Sequence, residues 1–217
     1  MNRNNSTLAF RFIAPAVLSA TSLLGQVSAV RAGSFEVGPF IGASYGTADA
    51  FHVMAGGNIT YALKNKYVLP YFEYSYFPGL PYTVSGTLPG GVGGSYTSTF
   101  SIPVSDIHGG VHIRLPVFKE SSLVPYLVFG LGALHYSTQT RDVTIIQPDG
   151  IPPVQRQLNV PGDSGFAING GGGFRYYIGG TGKFGLRTEA KVYRSNSGAF
   201  SNGTIGKVEV GFFFQLR

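Results

Sequence analysis

Residues Lys207 to Arg217 alternate with a period of two. Val208, Val210, Phe212, Phe214 and Leu216 fall on one face of an extended strand, and Glu209, Gly211, Phe213, Gln215 and Arg217 on the other. The same alternation recurs upstream. It predicts strands at Phe35 to Tyr45, Phe51 to Leu63, Tyr67 to Phe77, Thr99 to Leu115, Leu123 to Tyr136, Phe166 to Ile178 and Phe184 to Tyr193, which with the terminal strand make eight. The fourth strand changes phase. Ile107, Gly109, Val111, Ile113 and Leu115 share one face while Phe100, Ile102 and Val104 take the other, so a bulge near Ser105 is expected. The fifth is apolar on both faces, which leaves its phase open.

The connections alternate in length. Turns near residues 64, 118 and 180 are short, and the segments near 47, 88, 150 and 200 are long. Short turns on one side and long loops on the other suit an all-β chain folded as an eight-stranded antiparallel up-and-down transmembrane β-barrel. Both chain ends then lie on the short-turn, periplasmic side. Pro78 to Thr97 and Thr138 to Ser164 are expected as outer loops and as the surfaces that meet a partner.

Alternation alone does not say which face is inside, because a soluble ligand-binding barrel has one apolar and one polar face too. The charges supply a direction. Glu36, Glu73, Arg114, Arg175, Arg187, Glu189, Lys191, Glu209 and Arg217 share the polar phase and carry both signs, as a packed polar lumen requires. Pairing of the last two strands brings Lys191 within a residue or two of Glu209, and closure of the barrel brings Glu36 near Arg217. Only 12% of residues are charged, and 17 Phe and 13 Tyr are present with no Trp and no Cys. Thiolate chemistry and disulfides are thereby excluded. Within strands, Gly56-Gly57, Gly109-Gly110 and Gly170 to Gly173 relieve crowding and ease the bending of a small barrel.

Residues 1–32 read as a secretory leader, with Arg3 and Arg11 in a polar start and an apolar stretch from Phe12 to Leu24. Cleavage after Ala29 or after Ala32 fits the small-x-small rule equally well. The mature domain is then 33–217, within which no run of roughly 18 apolar residues could cross as a helix. The net charge of +6 falls when Arg3, Arg11 and Arg31 leave with the leader, so nucleic acid is not an expected partner.

Little points to catalysis. His108 and His112 have helical metal-ligand spacing, but four residues along a strand span about 13 Å, too far to share an ion. Gly162-Asp163-Ser164-Gly165 echoes a serine-protease nucleophile motif without its histidine and aspartate context. Tyr193-Arg194-Ser195-Asn196 resembles the His-x-Ser-Asn motif of the lipid A deacylase family. Tyr193 stands in place of the histidine, which leaves Ser195 without a general base. No catalytic, metal or cofactor-binding residue is expected.

The terminal strand carries a further resemblance. Glu209, Gly211, Phe214 and Leu216 match the C-terminal signal by which bacterial outer-membrane barrels are recognised for insertion, with Arg217 in place of a terminal aromatic. Over 33–217 the chain resembles the small outer-membrane barrels grouped with the OmpA transmembrane domain, OmpX and opacity-type proteins. The resemblance implies an outer-membrane location, contact with outer-membrane lipid and lipopolysaccharide, and delivery by the barrel-assembly machinery. It implies a non-catalytic structural or surface-interaction role, adhesion-like, for an extracellular ligand that the residues do not specify. The alternatives are a narrow channel for small solutes, a deacylase-like barrel enzyme and a secreted ligand-binding barrel.

Overall fold

The computed structural model describes residues 30–45, 52–87, 95–115, 122–145, 154–179, 182–196 and 204–216. Most of the expected leader, the tips of the four outer connections, the expected turn near 118 and Arg217 lie outside these residues.

There are ten strands among them: β1 Phe35–Tyr45, β2 His52–Tyr61, β3 Val68–Thr87, β4 Ser95–Arg114, β5 Leu123–Tyr136, β6 Gln139–Ile145, β7 Val154–Val160, β8 Asp163–Ile178, β9 Phe184–Ser195 and β10 Thr204–Leu216. Eight close into an antiparallel barrel in the order β1-β10-β9-β8-β5-β4-β3-β2. Closure joins the first strand to the last, with Phe35 opposite Leu216 and Tyr45 opposite Gly206. No sheet edge is left within the barrel, so every strand finds two neighbours.

β6 and β7 form a separate two-stranded sheet. Pairing of β2 with β3 ends at Ala55 and Tyr76, and pairing of β4 with β5 begins at Ser105 and His135. Beyond these points β3 and β4 continue together as far as Thr87 and Ser95. The expected outer loops are therefore largely two β-hairpin arms. Arg141 Nη2 ties them by donating to the Ser101 carbonyl at 3.2 Å.

The expected bulge near Ser105 is not there. The register shift lies across the pair, on β3 between Phe77 and Leu80, where the first arm leaves the barrel. From Ser101 to Ile113 β4 keeps one phase, and Ile102 and Val104 point inward beside Asp106, His108 and His112. They are apolar because the outer end of the lumen is apolar. β5 resolves in the same way: Val124, Tyr126, Val128, Leu134 and Tyr136 are inside, while Leu127, Phe129 and Leu131 are outside.

The short turns follow from local chemistry. Asn65 Oδ1 accepts from the backbone N–H groups of Tyr67 and Val68 at 3.0 and 3.2 Å, and Lys66 takes a left-handed φ of 59°. Gly182 N–H donates to the Gly179 carbonyl at 3.2 Å, and both glycines have positive φ.

Candidate functional site: the lumen

The inward phase carries the charge. Glu36 on β1, Glu73 on β3, Asp106 on β4, Arg175 on β8, Arg187, Glu189 and Lys191 on β9, and Lys207 and Glu209 on β10 are all buried. Three cations and four carboxylates meet at mid-height. Lys191 Nζ lies 2.6 Å from Glu189, 2.7 Å from Glu73 and 3.5 Å from Glu209. Lys207 Nζ stands 2.7 Å from Glu73, 3.4 Å from Asp106 and 3.5 Å from Glu209. Arg187 Nη2 reaches Glu209 at 2.9 Å and Glu73 at 3.7 Å.

Glu73, Glu189 and Glu209 offer oxygens within 4.8 Å of one another, the spacing of a metal cage. The ammonium groups of Lys191 and Lys207 are already seated against them. Ion pairing compensates for desolvating these charges, and no acid of the trio lacks a cation within 4.0 Å.

A second layer lies nearer the short turns. Arg175 Nε reaches Glu36 at 3.0 Å, and Glu36 also accepts from the Tyr177 hydroxyl at 2.5 Å and from Thr60 at 3.1 Å. The Arg175 guanidinium stacks over the Tyr126 ring at 4.3 Å and donates to His112 Nδ1 at 2.5 Å. Because arginine can only donate, His112 accepts at Nδ1, and its Nε2 faces Glu189 at 3.5 Å. His112 is stacked on Tyr71 at 4.4 Å, and the Tyr126 hydroxyl donates to Glu189 at 2.6 Å. His108 instead pairs with Asp106. The two histidines thus serve different partners.

Glycine makes room for the aromatic layer. A methyl group on Gly130 would overlap the Tyr71 hydroxyl, and one on Gly173 would stand 2.8 Å from the Tyr126 hydroxyl oxygen. Apolar clusters cap the ionic layers. Phe77, Ile102, Val104, Leu134, Tyr136, Ala167, Tyr193 and Ile205, with Phe40 and Met54, fill the outer end. Val30, Ala62, Leu69, Val124, Tyr177 and Phe213 fill the short-turn end. Between the outer cluster and the ions, a cavity lined by Ser44, Phe77, Asp106 and Lys207 has only about 10 Å³. That is no more than one water requires.

Of the residues singled out from sequence, Glu36, Glu73, Arg175, Arg187, Glu189, Lys191 and Glu209 stand in these layers. Lys191 lies two residues off register from Glu209, since it faces Lys207 while Glu209 faces Glu189. Arg114 is inward but half-buried, donating to the Lys66 carbonyl at 3.3 Å on the short-turn rim. The expected Glu36–Arg217 proximity falls outside the described residues, and Glu36 is held by Arg175. Sequence reasoning missed Lys207 and Asp106. Lys207 shares its phase with Glu209, which was signal enough; Asp106 was hidden by the bulge assigned beside it.

Both serine motifs have a place. Ser195 points inward and its hydroxyl donates to the Phe166 carbonyl at 3.3 Å. Ser164 lies on the outward side, and the expectation that it lacks a histidine is corrected: His135 Nδ1 is 2.7 Å from its hydroxyl. The two face each other across β5 and β8 as a cross-strand pair. Asp163 Oδ1 accepts from the Ser164 backbone N–H at 2.8 Å.

The outward face decides the surroundings. Ile41, Val53, Phe72, Phe129, Leu131, Phe174, Val192, Val208, Phe212 and Phe214 are all exposed; Phe212 is 60% accessible where its neighbour Phe213 is 2%. Apolar side chains outside and ion pairs inside invert a soluble barrel. The chain is a transmembrane β-barrel. Among the described residues no helix is long and apolar enough to cross a membrane, so the crossing is made by strands.

No protein-family profile and no curated protein matches the chain. Solved structures do. The N-terminal β-barrel domain of Pseudomonas aeruginosa OprF is 19% identical, with 84% of this chain and 98% of that one covered and a TM-score of 0.39. Neisserial surface protein A is 9% identical over 83% and 95%, with a TM-score of 0.47. The Yersinia pestis outer membrane protein Ail is 12% identical over 85% and 99%, with a TM-score of 0.42.

Proposed function

We propose that the protein is an outer-membrane surface protein whose barrel is a sealed anchor for two projecting hairpin arms. The observation that carries this reading is the packing of the lumen. Ion pairs fill its middle and apolar side chains fill both ends, which fits an eight-stranded wall just wide enough for its own side chains.

The arms are the parts free to meet a partner. β3 and β4 extend well past the barrel wall, and β6 and β7 form the second arm beside them. Their backbone groups are paired within each hairpin, so they project without a core of their own. Outer-membrane lipid and lipopolysaccharide surround the apolar face, and the barrel-assembly machinery reads Glu209, Gly211, Phe214 and Leu216 on β10 during insertion. In the folded barrel Glu209 also belongs to the ionic layer, while Phe214 and Leu216 face outward. The role is non-catalytic and adhesion-like.

The test is replacement of residues 83–99, which leaves Ile102 in the lumen cluster, by a short turn. The shortened protein should still fractionate with the outer membrane and migrate differently before and after boiling, yet lose binding to host-cell or matrix surfaces. Binding that survives removal of this arm and of residues 139–160 contradicts the reading.

A further inference from the structure

The barrel begins before its first strand. Val30 is 1% accessible and packs with Ala62, Leu69, Val124, Tyr177 and Phe213 at the short-turn end of the lumen. Behind it, Gly33 N–H donates to the Ala62 carbonyl at 2.8 Å and Ala62 N–H donates to the Ser34 carbonyl at 2.9 Å, which prolongs the β1–β2 ladder. Ser34 is fully buried. Its backbone N–H and its hydroxyl both donate to the Arg31 carbonyl, at 3.2 and 2.6 Å.

These contacts discriminate between the two cleavage sites that the sequence leaves equivalent. Cleavage after Ala32 would remove Val30 from the apolar floor and take away the one carbonyl that serves both Ser34 donors. A buried donor without its acceptor is costly, and so is a hole in a packed cluster. Cleavage after Ala29 keeps every one of these contacts. Ala32 and Gly33 are exposed while Val30 and Ser34 are buried, so the segment turns at the mouth and puts Val30 back against the apolar floor.

We infer that leader peptidase cuts between Ala29 and Val30, and that Val30 to Ser34 is a stopper closing the periplasmic mouth of the mature barrel. The inference rests on the export reading above.

The experiment is the intact mass of the protein extracted folded from outer membranes of a Gram-negative host expressing the full chain, alone and with Ala32→Leu. Both chains should begin at Val30, with Ala32→Leu adding only the mass of its own substitution. A chain beginning at Gly33, or at any other residue besides Val30 and Met1, overturns the assigned site and leaves export intact. A chain still beginning at Met1 overturns export, and the site with it. A mature form lacking Val30 to Ala32 should convert to the boiled-type band at a lower temperature; an unchanged midpoint overturns the stopper.

Discussion

Lys191 and Glu73 lie 118 residues apart in the chain, yet the Lys191 ammonium donates to both oxygens of the Glu73 carboxylate, at 2.7 and 2.9 Å. β9 and β3 are not neighbours in the wall, so this contact spans the lumen. Lys191→Met leaves Glu73, Glu189 and Glu209 each with one cation fewer in a buried site. The expected loss is about 3–5 kcal/mol, the usual cost of stranding a buried charge. Adding Glu73→Gln should return part of it. Urea unfolding in lipid vesicles measures both; a double variant no more stable than Lys191→Met would remove the special standing of this pair.

Gly173 faces the Tyr126 ring. Gly173→Ala should drive its methyl into the Thr188 carbonyl oxygen of β9 and against Tyr126, whose hydroxyl serves Glu189, and lower stability by about 1–3 kcal/mol, as overpacking does. The heat-modified band on electrophoresis then forms at a lower temperature. Gly170, on the outward phase, meets nothing closer than 3.8 Å, so Gly170→Ala should leave the midpoint unchanged.

A lumen packed in this way should not conduct. Purified protein in planar bilayers should give no stable unitary steps. A steady conductance altered by neutralising Lys191 or Glu209 would restore the channel alternative.

The Ser164–His135 contact is a cross-strand hydrogen bond on an exposed surface. A serine-directed fluorophosphonate should not label the folded protein, and Ser164→Ala should leave folding and surface binding as they were. Labelling that disappears in Ser164→Ala would make the protein a hydrolase.

The wall of the barrel was legible because hydrocarbon and lumen impose opposite demands on alternate residues. β1, β8, β9 and β10 obey both, and their phases are plain in the sequence. β4 misleads at Ile102 and Val104, since the inner face turns from ionic to apolar near the outer end of the lumen. A change in the chemistry of one face looks like a change of phase. The arms were unreadable for a different reason: residues 83–99 are rich in Ser, Thr and Gly, with too few apolar residues to mark a period of two. Glu36 and Arg175 show the remaining limit. Alternation places both inside, but which cation crosses to which acid depends on barrel geometry.

Sidedness along β10 is the most direct test, and the cysteine-free chain suits it. Single cysteines at positions 208 to 214, each spin-labelled in the barrel reconstituted in lipid vesicles, report collision with oxygen and with a water-soluble nickel complex. Positions 208, 210, 212 and 214 should show high oxygen and low nickel accessibility, and 209, 211 and 213 low accessibility to both. High nickel accessibility at 208, 210, 212 and 214 would place those side chains in water and contradict the membrane-spanning barrel.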